Sequence, residues 1–299
     1  MLFDAMVVGG SYAGISAALF LARARRQVLV IDAGVRRNRF ASHAHGLLGH
    51  DGRPPGDIAA SGRADLMAYP TVTWVDGKVA KAHVLDDAFE VQLESGALYT
   101  GRRVVLAGGV TDTLPAVEGI EALWGQGVYH CPYCHGYELE GGDVAVLAAG
   151  PAAFHVAMML PDWGRTTLYT NGMFQPDAEH TAQLTARGVR IDSRDVRSLS
   201  RDDKGVRITL ASGESQSVAG VFTQPATAPA GDLVTQLGCA LEDSPIGRFV
   251  TTGPTKETTV PGVFACGDIA RAAGSVPLAI GDGVMAGTAT HQSIVFRPH

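Results

Sequence analysis

A short apolar run, Phe3-Asp4-Ala5-Met6-Val7-Val8, leads straight into Gly9-Gly10-Ser11-Tyr12-Ala13-Gly14 and an apolar stretch of helical character to about Arg25. That order of pieces leaves one economical fold: a buried strand, a tight turn, and a helix packed back onto the strand. Gly9 makes the turn, Gly14 lets helix and strand approach, and the helix start offers amides to a pyrophosphate. Ser11 stands where the pattern expects its middle glycine, and serine is small enough to be tolerated there. Gln27 to Ile31 reads as the next strand, ending at Asp32, an acid placed for a ribose hydroxyl. Strand, turn, helix and acid in register predict a dinucleotide site.

The same plan restarts after Leu114-Pro115, with a strand over Asp143 to Leu147, a helix over Pro151 to Leu160 and a strand over Thr166 to Tyr169. Short alternating segments predict a β-meander near Thr71 to Tyr99 and a second over Arg194 to Val218. Val263 to Ala265 supplies a last strand and Ala279 to Val295 a closing helix. The predicted fold class is α/β, with two Rossmann-like dinucleotide-binding units, each bearing a small β-meander. Residues 1–115 and 240–299 form the first unit, and residues 116–239 are inserted into it.

Composition narrows the partners. A net charge of −6 without a Lys/Arg cluster argues against nucleic acid. No apolar run approaches the roughly 18 residues of a membrane span. The amino terminus enters a strand without a basic leader, so the expected location is cytoplasmic. Of the 4 cysteines, Cys239 and Cys266 are isolated, which is no disulfide framework.

The other two lie in Cys131-Pro132-Tyr133-Cys134-His135-Gly136-Tyr137-Glu138, between the two glycine turns. Cysteines at this spacing can close a disulfide within one turn, and such pairs commonly include a thiol of depressed pKa. The string also matches a c-type haem attachment pattern, which requires export, and a structural zinc would need two further ligands. A redox pair between two nucleotide units suggests a flavin enzyme exchanging electrons with a dithiol.

Thr258-Thr259-Val260-Pro261-Gly262-Val263-Phe264-Ala265-Cys266-Gly267-Asp268 resembles the second FAD motif of flavoproteins with two dinucleotide domains, and Ala107-Gly108-Gly109 their short middle motif. With the first turn, these residues resemble the low-molecular-weight thioredoxin reductase family over almost the whole chain. CPYCHGYE and the loop His45-Gly46-Leu47-Leu48-Gly49-His50-Asp51-Gly52 are similar to one subgroup, the dithiol oxidases of gliotoxin- and holomycin-type disulfides. The resemblance implies FAD held by Gly9, Ser11, Tyr12, Ala13, Gly14, Asp32, Ala33, Gly34, Arg39, His45, Gly49, His50, Val79, Ala107, Gly108, Gly267, Asp268, Pro277, Leu278 and Ala279. It implies that Cys134 faces the flavin and Cys131 meets the substrate. His135 replaces the aspartate of ordinary members, and a histidine there can act as acid or base near neutral pH. A homodimer is implied as well.

The second turn departs from the family pattern. It reads Ala148-Ala149-Gly150-Pro151-Ala152-Ala153, with an alanine for the first glycine and a proline that removes a donor at the helix start. No Lys or Arg occurs from Thr166 to Ala186, where NADPH users carry arginines for the 2′-phosphate. The leading expectation is therefore an FAD-dependent dithiol oxidase, with dioxygen as acceptor and no reliance on NADPH. Its substrate is a small-molecule dithiol or a thioredoxin-like protein. The alternatives are a thioredoxin reductase-type enzyme fed by NADPH, ferredoxin or another flavoprotein, and a non-catalytic flavin redox sensor.

Overall fold

The computed structural model describes residues 1–297. Ala5–Val8 is wholly buried and forms the middle of a 5-stranded sheet with Val28–Asp32 and Val72–Asp76 on one side, Val104–Leu106 and Val263–Ala265 on the other. All of its pairings are parallel. The run at Thr71 to Val75, expected in the meander, is the edge strand of this sheet, paired with Val28–Asp32. Its alternation looked like a half-buried strand of either kind, and pattern alone does not choose the partner. The antiparallel meander begins at Val79–Val84 and continues through Phe89–Leu93 to Leu98–Gly101.

Tyr12–Arg23 and the closing helix Val276–Phe296 cover one face of the sheet and lie against each other. Glycine permits that approach: a Cβ on Gly283 would sit 2.2 Å from the Ala13 carbonyl oxygen, and one on Gly287 would sit 2.4 Å from that of Ala17. The closing helix starts earlier than the sequence pattern indicated, because Ser275 caps it by accepting from the Leu278 amide.

The second unit repeats the plan. Its parallel sheet runs in the order Val128–Tyr129, Gly220–Phe222, Gly141–Leu147, Gly164–Tyr169, Arg190–Asp192. Val196–Asp202, Gly205–Leu210 and Ser215–Val218 form its meander. Each unit has its own apolar core. The chain leaves the first unit through Val110–Thr113 and comes back through Ala226–Pro229, and these two strands pair antiparallel with each other. No helix among the described residues is long and apolar enough to cross a membrane.

Candidate active site

The first turn draws three distant stretches of sequence together. Gly9 has φ +110°, and a Cβ there would meet the Ala107 carbonyl oxygen at 2.3 Å. Gly267, at φ +76°, would bring a Cβ to 2.8 Å from that of Ala13 and 3.7 Å from that of Ala279. Gly14 packs on Gly9, where a Cβ would lie 1.8 Å from its carbonyl oxygen. Asp32 accepts the Gly10 amide at 3.1 Å, fixing the turn to the end of the second strand. Ser11, the N-cap of the first helix, makes no side-chain cap bond, which leaves the first helical amides without a partner from it. Around Gly108, Gly109 and Gly46 an added Cβ would meet nothing within 4 Å. A tight turn, free amides, a ribose-type acid and open space beside Gly108 are the donor set and the room that a flavin dinucleotide requires.

Cys131 and Cys134 form a disulfide with Cα atoms 5.3 Å apart. Pro132 opens the short helix Pro132–His135, where a missing amide costs nothing, and Cys131 is its N-cap. Both cysteines line a cavity of about 440 Å³ whose other walls include His45, His130, Asp268, Pro277 and Leu278. The redox pair thus faces the elements of the first unit that carry the second FAD motif and the closing helix.

His135 stacks on Tyr129, ring centroids 4.4 Å apart, and both of its ring nitrogens are enclosed without a hydrogen-bond partner. Burial pushes its pKa down to about 4, with Glu138 opposing and His45 adding to the fall. The expectation that His135 titrates near neutrality is corrected: at neutral pH it is an uncharged imidazole. His45 reaches across from the first unit, with Nε2 at 3.4 Å from Glu138 and Nδ1 at 3.6 Å from Asp51.

Other expected residues stand outside the walls of the disulfide cavity. His50 contacts Arg53 at 3.1 Å and is not among the cavity walls. Gly49 is an exposed loop glycine at φ +77°. Ala33 and Gly34 are exposed at the end of their strand. Val79 points into the hydrophobic core, which leaves only its backbone for a ligand. Arg39 lies over the Phe40 ring at 4.1 Å and donates to the Arg36 carbonyl. Asp282, inside the closing helix, is buried between Lys256 and Arg271, each 2.8 Å away.

Two features were missed. Arg37 bridges Asp112, at 2.9 Å through Nε, and Asp268, at 2.8 Å through Nη1, tying the outgoing crossing strand to the second FAD motif. These carboxylates hold its guanidinium pKa well above the usual value despite burial. His130, adjoining Cys131, is driven by burial to a pKa of about 3, with Arg37 and His135 adding and Asp112 opposing. The signal was in plain view, since the string reads His-Cys-Pro-Tyr-Cys-His with an imidazole at each end.

The second turn has no counterpart to Gly9. Ala148 is fully buried and is not among the residues of positive φ. The Phe154 and His180 rings lie 4.4 Å apart, with Phe174 at 5.8 Å from His180. They join the starts of the helices Ala153–Met159 and Ala178–Ala186, which follow the carboxyl ends of the two central strands. Arg194, beyond the next strand, is engaged by Asp192 and Glu214.

Residues 3–283 match the pyridine nucleotide-disulphide oxidoreductase family. The chain belongs to that family. Within it, the thioredoxin reductase tcpT of Claviceps purpurea is 34% identical, over 96% of this chain and 92% of that protein. An oxidoreductase from Agrobacterium tumefaciens has a crystal structure that superposes with a TM-score of 0.96 at 52% identity, over 99% of both chains. The crystal structure of HlmI gives 0.91 at 33% identity, over 99% of this chain and 94% of the other. The protein is thus a thioredoxin reductase-like flavoprotein of the FAD-binding, disulfide-active kind, and the resemblance read from its motifs holds.

Proposed function

We propose that this family member runs as a dithiol oxidase: it takes an electron pair from a dithiol through the Cys131–Cys134 disulfide and does not rely on NADPH. The observation that carries the reading is the contrast between its two electron entrances. The disulfide opens on a cavity next to the flavin elements. The second turn lacks a left-handed glycine at Ala148 and has aromatic rings bridging its two helix starts.

A substrate thiolate attacks Cys131, the Cys131–Cys134 bond opens, and the second substrate thiol displaces Cys131 to close the product disulfide. Two electrons pass to the cysteines, and two protons leave the substrate thiols. FAD, held by the first glycine turn and the second FAD motif, would supply the two-electron sink for the cysteine pair, with dioxygen as its acceptor. Cys134 leaves as the thiolate, and His135, next to it in sequence and fixed by its stack on Tyr129, is the base assigned to a proton given up by the substrate thiols. His130 and His45 line the cavity of the disulfide and keep imidazoles near the exchanging sulfurs.

Anaerobic reduction of the flavin by dithiothreitol and by NADPH, side by side, tests the reading. Fast bleaching by the dithiol with slow or absent bleaching by NADPH is expected. The reverse order makes the protein a conventional reductase, and no bleaching by either makes it a sensor. Family resemblance also supports a homodimer, which light scattering would disprove by finding a strict monomer.

A further inference from the structure

The helix Ala153–Met159 follows the rebuilt turn, with one face in the core and Val156 at the border between that core and the disulfide cavity. Ala153, Val156 and Ala157 enter the core of the inserted unit, with Phe154 and Met158 packed against that core. His155 and Met159 stand four positions apart, so they stack on a single helical face. Among the described residues neither belongs to a core cluster; His155 is exposed and Met159 half-buried. Both line the cavity that holds Cys131 and Cys134. Further lining comes from Ile246, in the turn before the strand Gly247–Val250, and from Leu278 on the closing helix.

A helix whose start has lost the features that grip a nucleotide therefore still presents two uncommitted side chains to the redox pair. We propose that this face is the wall that selects the substrate. Met159 gives an adaptable apolar contact to the body of the dithiol, and His155 gives a polar contact at the rim. This rests on the dithiol-oxidase reading and adds to it the residues that choose among dithiols. A thioether with three rotatable bonds moulds itself to irregular apolar shapes. Because Met159 carries none of the core, its replacement changes the wall without emptying the interior.

The test uses the full chain loaded with FAD, as parent, Met159→Ala and His155→Ala. Anaerobic flavin bleaching is followed with dithiothreitol, with 1,4-benzenedimethanethiol as a bulky apolar dithiol, and with NADPH. The ratio of the aromatic to the small dithiol rate constant should fall about tenfold or more in Met159→Ala, the low end of what small apolar contacts give a pocket. His155→Ala should lower the ratio by less, and melting temperatures should stay near the parent value. An unchanged ratio, with dithiothreitol still reducing the flavin, overturns the proposal and leaves the oxidase reading standing. An effect confined to NADPH overturns it too, since the face then serves a nucleotide. If neither dithiol bleaches the parent flavin, the oxidase reading fails and the proposal goes with it.

Discussion

The two strand–turn–helix units began from one plan and diverge at the turn itself. In the first, Gly9 adopts φ +110° against the Ala107 carbonyl, and Asp32 ties the turn to the neighbouring strand. In the second, buried Ala148 holds the same place without a positive φ, and the Phe154–His180 pair joins the helix starts. The sheet beneath tolerates either outcome, because strand order and core packing do not depend on what the turn binds. A Rossmann-like sheet is therefore a scaffold, and ligand binding is decided by a handful of backbone angles at its carboxyl edge.

The strongest way to break the comparison is to ask where electrons enter. Cys131→Ser and Cys134→Ser should each abolish flavin reduction by dithiothreitol, measured anaerobically by loss of flavin absorbance. If NADPH still bleaches the flavin rapidly in those variants, the second turn is a working entrance and the contrast fails. Cys131→Ser should also leave a Cys134 thiolate that gives a long-wavelength charge-transfer band; a band in Cys134→Ser alone reverses the two roles.

His135→Ala should keep FAD and the disulfide but slow dithiol turnover by roughly 10²–10⁴-fold, the usual cost of a lost acid/base group. A turnover number unchanged from the parent makes the histidine only a packing partner of Tyr129.

The turns can be set against each other directly. Gly9→Ala forces a side chain into the Ala107 carbonyl at a left-handed angle, strain of about 1–3 kcal/mol before the clash is counted. The purified variant should show a much reduced flavin-to-protein absorbance ratio. Gly150→Ala, where φ is not positive and a Cβ meets nothing within 4 Å, should change stability by less than about 0.5 kcal/mol and keep its flavin. Equal flavin loss in both would break the contrast, since the second turn would then matter to the flavin as much as the first.

Acid should expose the buried imidazoles. His130 and His135, pushed down to about 3 and about 4, accept protons in the unfolded chain near pH 6.5 but resist them when folded. Their contribution is fully present above pH 6.5 and is lost as pH falls from there toward 4 and below. Melting temperature should drop over that interval, less steeply in His135→Gln; parallel curves for both proteins would contradict the burial of His135. The smallest effect belongs to His50→Ala, whose ring turns to Arg53 and away from the disulfide cavity: dithiol turnover should match the parent.

Much of this was legible in the sequence because its signals are local. Gly9, Gly14 and Asp32 announce a dinucleotide turn by spacing, and two cysteines three residues apart announce a redox pair. What stayed hidden depended on distant partners. Arg37, Arg39 and the acids Asp112 and Asp268 are indistinguishable as charges until folding brings Arg37 between the two acids. The histidines of the loop differ only in direction, so His45 enters the cavity and His50 turns to Arg53. His135 was placed correctly beside the disulfide, but its low basicity comes from burial that no spacing reveals.

The paired crossings have a mechanical consequence. Val110–Thr113 and Ala226–Pro229 are laced together over four residue pairs, from Val110 with Pro229 to Thr113 with Ala226. Two separate tethers would let the inserted unit tumble; two tethers joined into a ribbon leave it an axle. Arg37 pins that axle to the first unit by gripping Asp112 with one side of its guanidinium and Asp268 with another.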